Sequence, residues 1–546
     1  MPNYVIIGLG SQADVIEAIL NQHGISPFRI AYGDVPGDSQ DIPSHLEDHC
    51  YILAIGDNKT RHEIAREYER KYPNIKWFNA ISPRADIATT VKIGVGNVIC
   101  AGAVVATHTN IGDHCIINTN ASVDHHCKIG SFVHVAPNSA VCGNVTLHDG
   151  VFIGVGSSVV EKRAIRPWAF HRANTLVSKS SAPIPIYQPY LPSTHRSVVD
   201  ALETGWISSQ GEYIKKCQQI IQERLGIKHA LLLANGTCAT HCLFMALKHR
   251  YPQITKIYVP DSCYIAAINS ALFEYSLDQL EVMRMDAATW NVDTSEEYWN
   301  TLDSNAAVLI VHNVGKIVPV KRLKGYRPDL VFVEDNCEGL FGRYNGKAAG
   351  TESLCSSASF FANKSITAGE GGLFMTDDDD LHQFIAKTCN QGVSQTRYLH
   401  DCLGYNYRIT NLQAAVLYDQ LGDLDKILKK KADIFTCYRN NLPKEYQQLE
   451  DQMTEGATWM FAIQIPGLIN FETTEAFMRE RGVDIRPFFF PVNAHGHTKE
   501  IKRLYTGVAE DLRREVIMLP SYPELTANEQ AHIIECVKDL IVSCVE

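Results

Sequence analysis

The chain lacks three features that would place it in a class at once: paired cysteines, a long apolar run and a surplus of positive charge. Sixteen cysteines are scattered singly through 546 residues, and no two stand in a CxxC pair. That pattern argues against zinc ribbons and disulfide frameworks. It fits free thiols in a reducing compartment, so a cytoplasmic protein without a structural metal is expected. No run of about 18 apolar residues is present, so no spanning helix is expected. The net charge of -11 argues against a nucleic-acid or anionic-membrane surface. The N-terminal apolar run YVIIGLG is short, ends in glycine and has no basic residues before it. It reads as a first strand, not as a signal peptide.

The middle of the N-terminal half also lacks the helical period of 3.6 and the strand period of 2. A period of six replaces them. From Ile81 to Val159 every sixth residue is Ile, Val or Leu, fourteen times without a miss. A left-handed parallel β-helix accounts for this, because each triangular coil has three six-residue sides with one inward aliphatic residue per side. Stacked coils bury a continuous column. The period is expected to break over 160–188, where the proline-rich stretch SAPIPIYQPYLPS reads as an extended arm.

Four segments follow from these changes of texture. Residues 1–80 read as a small Rossmann-like α/β domain, 81–172 as the β-helix, 173–192 as a linker, and 193–546 as a large α/β domain with a mostly parallel sheet. In the first, Gly8 and Gly10 lie between a strand and a helix, where backbone N–H groups can meet an anion. The third glycine of a dinucleotide fingerprint is replaced by Ala13. A tight turn without a ligand is therefore an alternative. Gly56, Asp57 and Asn58 end a second strand and are placed to close the same crevice.

The solenoid carries His108, His114, His125, His126, His134 and His148. A neutral imidazole can take a proton from an amine that attacks a thioester. Metal binding and solvent-facing rings without a role are the alternatives. YVIIGLG, LAIGDNKTR at 53–61 and INTNASVDHHCKIGSFVHVAPNSAVCGNV at 117–145 resemble the acetyl-CoA-dependent N-acetyltransferases of nucleotide-linked 4-amino-4,6-dideoxy sugars. The resemblance implies a trimeric β-helix with His125 as general base. It implies His134 at the acetyl-CoA, Asn118 and Gly143 near the donor groove, and the turns at 8–10 and 56–58 on the nucleotide sugar. Two departures stand out. His126 replaces the acid that orients the family's base, and Ser11-Gln12 replaces its usual Gly-His.

In the C-terminal half the stretch SASFFANKSITAGEGG places Lys364 in an uncharged setting. A lysine that forms a Schiff base with pyridoxal phosphate needs a ring acid and a phosphate cup nearby. Asp335 ends the apolar strand DLVFVED. Gly236, Thr237 and Cys238 follow a strand and open a helix, where donors to phosphate collect. Tyr264 is a candidate ring stacker. GWISSQG at 205–211, PDSCYIAAIN at 260–269, VEDNCEG at 333–339, FFANKSITAGEGG at 360–372 and GYNYRITNLQAA at 404–415 resemble the DegT/DnrJ/EryC1/StrS sugar aminotransferases. The resemblance implies the aspartate aminotransferase fold, fold type I. Lys364 would be the cofactor lysine, Asp335 the partner of the ring nitrogen, and Glu338 a neighbour of the ring hydroxyl. Thr237, Cys238 and Ser359 would hold phosphate, with Asn406 reaching in from a partner subunit. Arg408 and Arg486 would contact glutamate or sugar. Within the family the NKxITxGEGG form looks most like the branch that aminates GDP-4-keto-6-deoxymannose, though UDP- and dTDP-linked sugars stay open.

Together the two resemblances imply a bifunctional enzyme: glutamate aminates a nucleotide-linked 4-keto-6-deoxy sugar, and acetyl-CoA then acylates the new amine. An aminotransferase with a non-catalytic N-terminal binding module is the alternative. Trimeric solenoids and dimeric aminotransferases in one chain imply a hexamer with 32 symmetry.

Overall fold

The computed structural model describes residues 3–30, 49–178, 183–192, 195–447, 453–468 and 470–545. Residues 179–182 of the expected linker lie outside the described residues. The chain divides into two compact units. One comprises Met1–Ile184, Met478–Val483 and Ala527–His532; the other comprises Pro185–Phe477, Asp484–Thr526 and Ile533–Glu546.

The first unit opens with a three-stranded parallel sheet. Asn3–Ile7 lies at its centre, flanked by Phe28–Ile30 and His49–Leu53. Helices Ser11–Gln22 and Asn58–Lys71 accompany it. Three parallel sheets of six, six and five two-residue strands follow. Each strand pairs with the strand 18 residues on: Ile81 with Ile99, Ile99 with Ile117, Ile117 with Val135, and Val135 with Ile153. Three six-residue sides therefore complete one turn. The aliphatic residues of the sequence period form a buried column from Ile99 to Val177. Each fully buried Ile or Val in such a column contributes roughly 1.5–3 kcal/mol.

The ladder does not break after Val159. Ile165 pairs with Leu147, His171 with Ile153, and Val177 with Val159. The aliphatic period itself runs on to Ile165 and first misses at His171, in strand Phe170–His171, where the ladder nonetheless continues. Burial holds the His171 imidazole below its usual range, so an uncharged ring fills the site.

A second period of six sets the corners. His108, His114, Asn120, His126, Phe132, Asn138, Asn144, Lys162, Trp168 and Asn174 all have φ between 54 and 61°. That left-handed conformation favours Asn, His and Gly over other residues. Three of the six solenoid histidines are thus corner residues.

The second unit is built on an eight-stranded sheet. Its order is His229–Leu233, Gly372–Thr376, Cys355–Ser359, Val331–Asp335, Ala307–Val311, Ile257–Pro260, Leu280–Met283 and Lys502–Arg503. Only Gly372–Thr376 runs against the others. The expected mostly parallel sheet is present. Helix Gly236–Arg250 packs on it through an almost continuous buried face that includes Leu243, Phe244 and Leu247. A smaller antiparallel sheet joins Phe461–Gln464, Val516–Leu519 and Arg486–Pro487. No helix among the described residues is long and apolar enough to cross a membrane.

Candidate active site

The carboxyl ends of the parallel strands of the second unit bring together several sequence-predicted residues. Asp335 ends strand Val331–Asp335 and is buried. One of its oxygens accepts the amide N–H of Cys337 at 3.0 Å; the other accepts the Thr240 hydroxyl at 3.4 Å. The Thr240 hydroxyl also lies 3.0 Å from the Ser357 hydroxyl. A buried carboxylate with so few donors has capacity left for a cationic ring N–H.

Ser359 ends the neighbouring strand Cys355–Ser359. A Cβ on Gly236 would lie 2.9 Å from the Ser359 Cβ, so only glycine lets the start of helix Gly236–Arg250 approach that closely. The helix N-terminus and the Ser359 hydroxyl therefore share one spot. Thr237 is exposed there. The Cys238 amide differs from expectation: it donates to the N-cap side chain of Asn235 at 2.9 Å and is already engaged. Burial pushes the Cys238 thiol up to about 11.

Lys364 is half-buried and lines a small pocket with Cys337, Glu338, Phe341, Ser359 and Trp459. Glu338 is buried and accepts the Val314 amide at 2.8 Å. Burial pushes its carboxyl up to about 7 against the opposing pull of the Lys364 charge. The Lys364 ammonium sits over the indole of Trp459, 4.4 Å from the ring centre. Trp459 was not anticipated: a Trp just before an apolar strand reads as core, and it lies 95 positions downstream of the lysine.

The remaining candidates lie farther from this cluster or are more open. Tyr264 is 62% exposed and meets Phe489 edge-on at 6.2 Å. Asn406 is exposed and accepts from Arg408 at 2.9 Å. Arg486 pairs with Asp484 at 2.8 Å.

In the first unit, the His125 ring lies against Gly143. A Cβ on Gly143 would come within 2.6 Å of the imidazole, so glycine makes the ring's seat. Nδ1 of His125 lies 3.2 Å from Nδ1 of His126. The His126 ring lies 5.0 Å from that of His108, as their spacing of 18 suggested. Asp124 does not reach the His125 ring; its carboxylate accepts the His125 backbone N–H at 2.7 Å. His134 is buried, with its Nε2 3.1 Å from the Asn118 amide nitrogen. Burial pushes His134 down to about 4, helped by the Arg61 charge. It is therefore neutral near pH 7, and Nε2 accepts the Asn118 N–H.

The two turns expected to hold a nucleotide sugar behave differently from each other. Gly8 and Gly10 lie between strand Asn3–Ile7 and helix Ser11–Gln22, with Gly10 exposed as the N-cap. The exposed carboxylate of Asp57 caps helix Asn58–Lys71 through the Thr60 N–H at 2.8 Å. That bond holds its carboxyl below the usual range. Asn58 is buried and donates to the carbonyls of Gly150 and Val151 at 3.1 and 3.2 Å. Its amide is committed to the coil and not to the open turn. Beside it Arg61, 1% exposed, donates to the carbonyls of His114, Ile55, Gly56 and Phe132. Arg61 fixes the Gly56 turn against the solenoid, a role that its place in a polar helix did not reveal.

The sheet, its crossover helices and this cluster define the second unit as a fold-type-I pyridoxal-phosphate-dependent aminotransferase. Residues 192–538 match the DegT/DnrJ/EryC1/StrS aminotransferase family, and the chain belongs to it. It is 31% identical over 361 residues to GDP-perosamine synthase of Escherichia coli O157:H7, covering 65% of this chain and 98% of that protein. It is 28% identical over 378 residues to GDP-perosamine synthase of Caulobacter vibrioides, covering 66% and 98%. Among solved structures, the Helicobacter pylori aminotransferase PseC of pseudoaminic acid biosynthesis superposes with a TM-score of 0.61. That match is 20% identical and covers 66% of this chain and all of that one.

Proposed function

We propose that the chain makes an N-acetylated 4-amino-4,6-dideoxy nucleotide sugar in two steps. The second unit transfers an amino group from glutamate to a nucleotide-linked 4-keto-6-deoxy sugar. GDP-4-keto-6-deoxymannose is the preferred reading, because the relatives named above act in GDP-perosamine formation. The first unit then acetylates the new amine with acetyl-CoA.

The convergence of Asp335, Ser359, Lys364 and the start of helix Gly236–Arg250 at one sheet end carries the first step. Bound pyridoxal phosphate supplies the electron sink for amine exchange. Asp335 holds the cofactor's ring N–H, Ser359 and the helix start hold its phosphate, and Glu338 lies beside Lys364. Lys364 anchors the cofactor and moves the proton at the substrate carbon. A lysine at this position supports amination over dehydration, since dehydratases of this fold place histidine there.

For the second step we read the three-sided coil as a left-handed β-helix with His125 as general base. The Nδ1 atoms of His125 and His126 lie 3.2 Å apart, so one N–H can bridge them. When His125 carries it and His126 accepts it, Nε2 of His125 is free to take a proton from the sugar amine. The amine nitrogen bonds to the thioester carbonyl, the C–S bond breaks, and the thiolate leaves to be protonated. His126 thereby substitutes for the orienting carboxylate.

Mass spectrometry tests the whole reading. Purified protein is given glutamate, acetyl-CoA and, separately, GDP-, UDP- and dTDP-4-keto-6-deoxy sugars. A product carrying both amine and acetyl group with one nucleotide supports both steps and names the substrate. An amine that stays free would leave the first unit as a binding module. No amination with any of the three would overturn the reading of the second unit.

A further inference from the structure

We propose that Trp459 is a positioning residue for Lys364, its indole face holding the free side-chain ammonium at the mouth of the cofactor site. The inference rests on the reading of Lys364 as the cofactor lysine. The ammonium lies 4.4 Å from the ring centre, within the range where a cation is attracted to an aromatic face. Trp is the most effective ring for this, and here it is 5% exposed, so little water competes.

The indole is clamped from several sides. Its Nε1–H donates to the carbonyl of Asn363, the residue before Lys364, at 3.0 Å. Ring and lysine backbone are thus tied to each other directly. The Trp459 carbonyl accepts from the ammonium of Lys431 at 2.9 Å, and Lys431 also donates to the Ser521 carbonyl at 2.7 Å. Lys431 is buried, and burial pushes its amine down to about 7; charged or neutral, it keeps the two N–H donors that these carbonyls take. On the other side the Trp459 N–H donates to Ala457, whose own N–H donates to Gly315 at 3.0 Å. Next to Gly315, Val314 donates to Glu338 in the same pocket as the lysine. A single chain of bonds therefore links Glu338, Trp459 and Lys364.

The consequence is specific. A lysine with four rotatable bonds must find the cofactor each time it is released. Parking its head on a fixed ring keeps it within reach. Once the ammonium gives a proton to solvent base, its nitrogen would add to the aldehyde carbon of pyridoxal phosphate and the carbonyl oxygen would leave as water, so Trp459 speeds this joining by holding the nitrogen close. Binding of pyridoxamine phosphate, which does not join the lysine, does not depend on it.

The experiment compares these two events in cofactor-free full-length enzyme. The rate of pyridoxal phosphate capture is read from its visible absorbance, and pyridoxamine phosphate affinity by calorimetry. Trp459→Leu is expected to slow capture about tenfold, within the range for a desolvated cation–π contact, with pyridoxamine phosphate affinity unchanged within about twofold. Trp459→Phe is expected to recover most of the rate, because it keeps an aromatic face. Loss of capture and affinity together, or of neither, would overturn the proposal. If Trp459→Leu fails to fold, near-ultraviolet difference spectra of wild type against Lys364→Met decide: an indole perturbation is expected, and identical spectra overturn it. Lys364→Met must also abolish capture; capture that persists identifies a different lysine and removes the basis of the proposal.

Discussion

Lys364 and His125 carry separate chemistries in the proposed scheme, so single substitutions should separate them. Lys364→Ala is expected to lower amination by about 10³-fold or more while leaving acetyl transfer to a supplied amino sugar intact. His125→Ala is expected to do the reverse, lowering acetyl transfer by roughly 10²–10⁴-fold. Product mass spectra with each co-substrate in turn check both. His134 sets a pH dependence of stability. Its pKa is about 4 in the folded state against an ordinary 6.5, because burial penalises the charged ring. Between those values the unfolded chain holds a proton that the folded chain does not. The contribution is therefore complete above pH 6.5 and lost as pH falls toward 4, and amounts to about 3 kcal/mol. Thermal melts of His134→Gln against pH should show a flatter acid limb than wild type.

The elements of the solenoid obey two superposed six-residue rules, one for the inward column and one for the corners. Ile117 is 1% exposed and stacks between Ile99 and Val135. Ile117→Ala is expected to destabilise the first unit by about 2–5 kcal/mol, since neighbouring coils cannot close the cavity without breaking their ladders. Asn144 stands at a corner with φ of 59°. Asn144→Gly should change stability by only a few tenths of a kcal/mol. Asn144→Val should cost about 1–2 kcal/mol, because a β-branched side chain resists the left-handed region. Calorimetry of both variants would test whether corner conformation, and not side-chain contact, selects these residues.

At the scale of the molecule, the proposal joins a solenoid of a kind that trimerises to an aminotransferase of a kind that dimerises. One closed assembly satisfying both needs six chains. Light scattering on the intact protein is expected to report a hexamer. Cleavage near residue 180 is expected to yield trimers of the N-terminal part and dimers of the remainder. A monodisperse dimer of the intact chain would rule this assembly out.

Much of the molecule was legible in the residue order because its period or its local motif is short-range. The inward column follows from one aliphatic residue in six, and the ordered series of phosphate turn, Asp335 and Lys364 follows from strand ends and glycine turns. The corner rule was equally present as Gly, Asn and His at a spacing of six, but the histidines among them read as chemistry until their φ angles were known. What the tertiary structure alone decided is long-range. Ile153 pairs with His171, which carries the coil past the point where its aliphatic signal fails. Arg61 and Asn58 spend their donors on coil carbonyls about 53–93 positions away, where a local reading saw a polar helix and an open turn. Trp459 reaches Lys364 only because the chain folds its later strands back on that lysine. Periodicity reports what a residue does to its neighbours in sequence; which distant group satisfies a buried donor or receives a cation depends on contacts that only the folded chain creates.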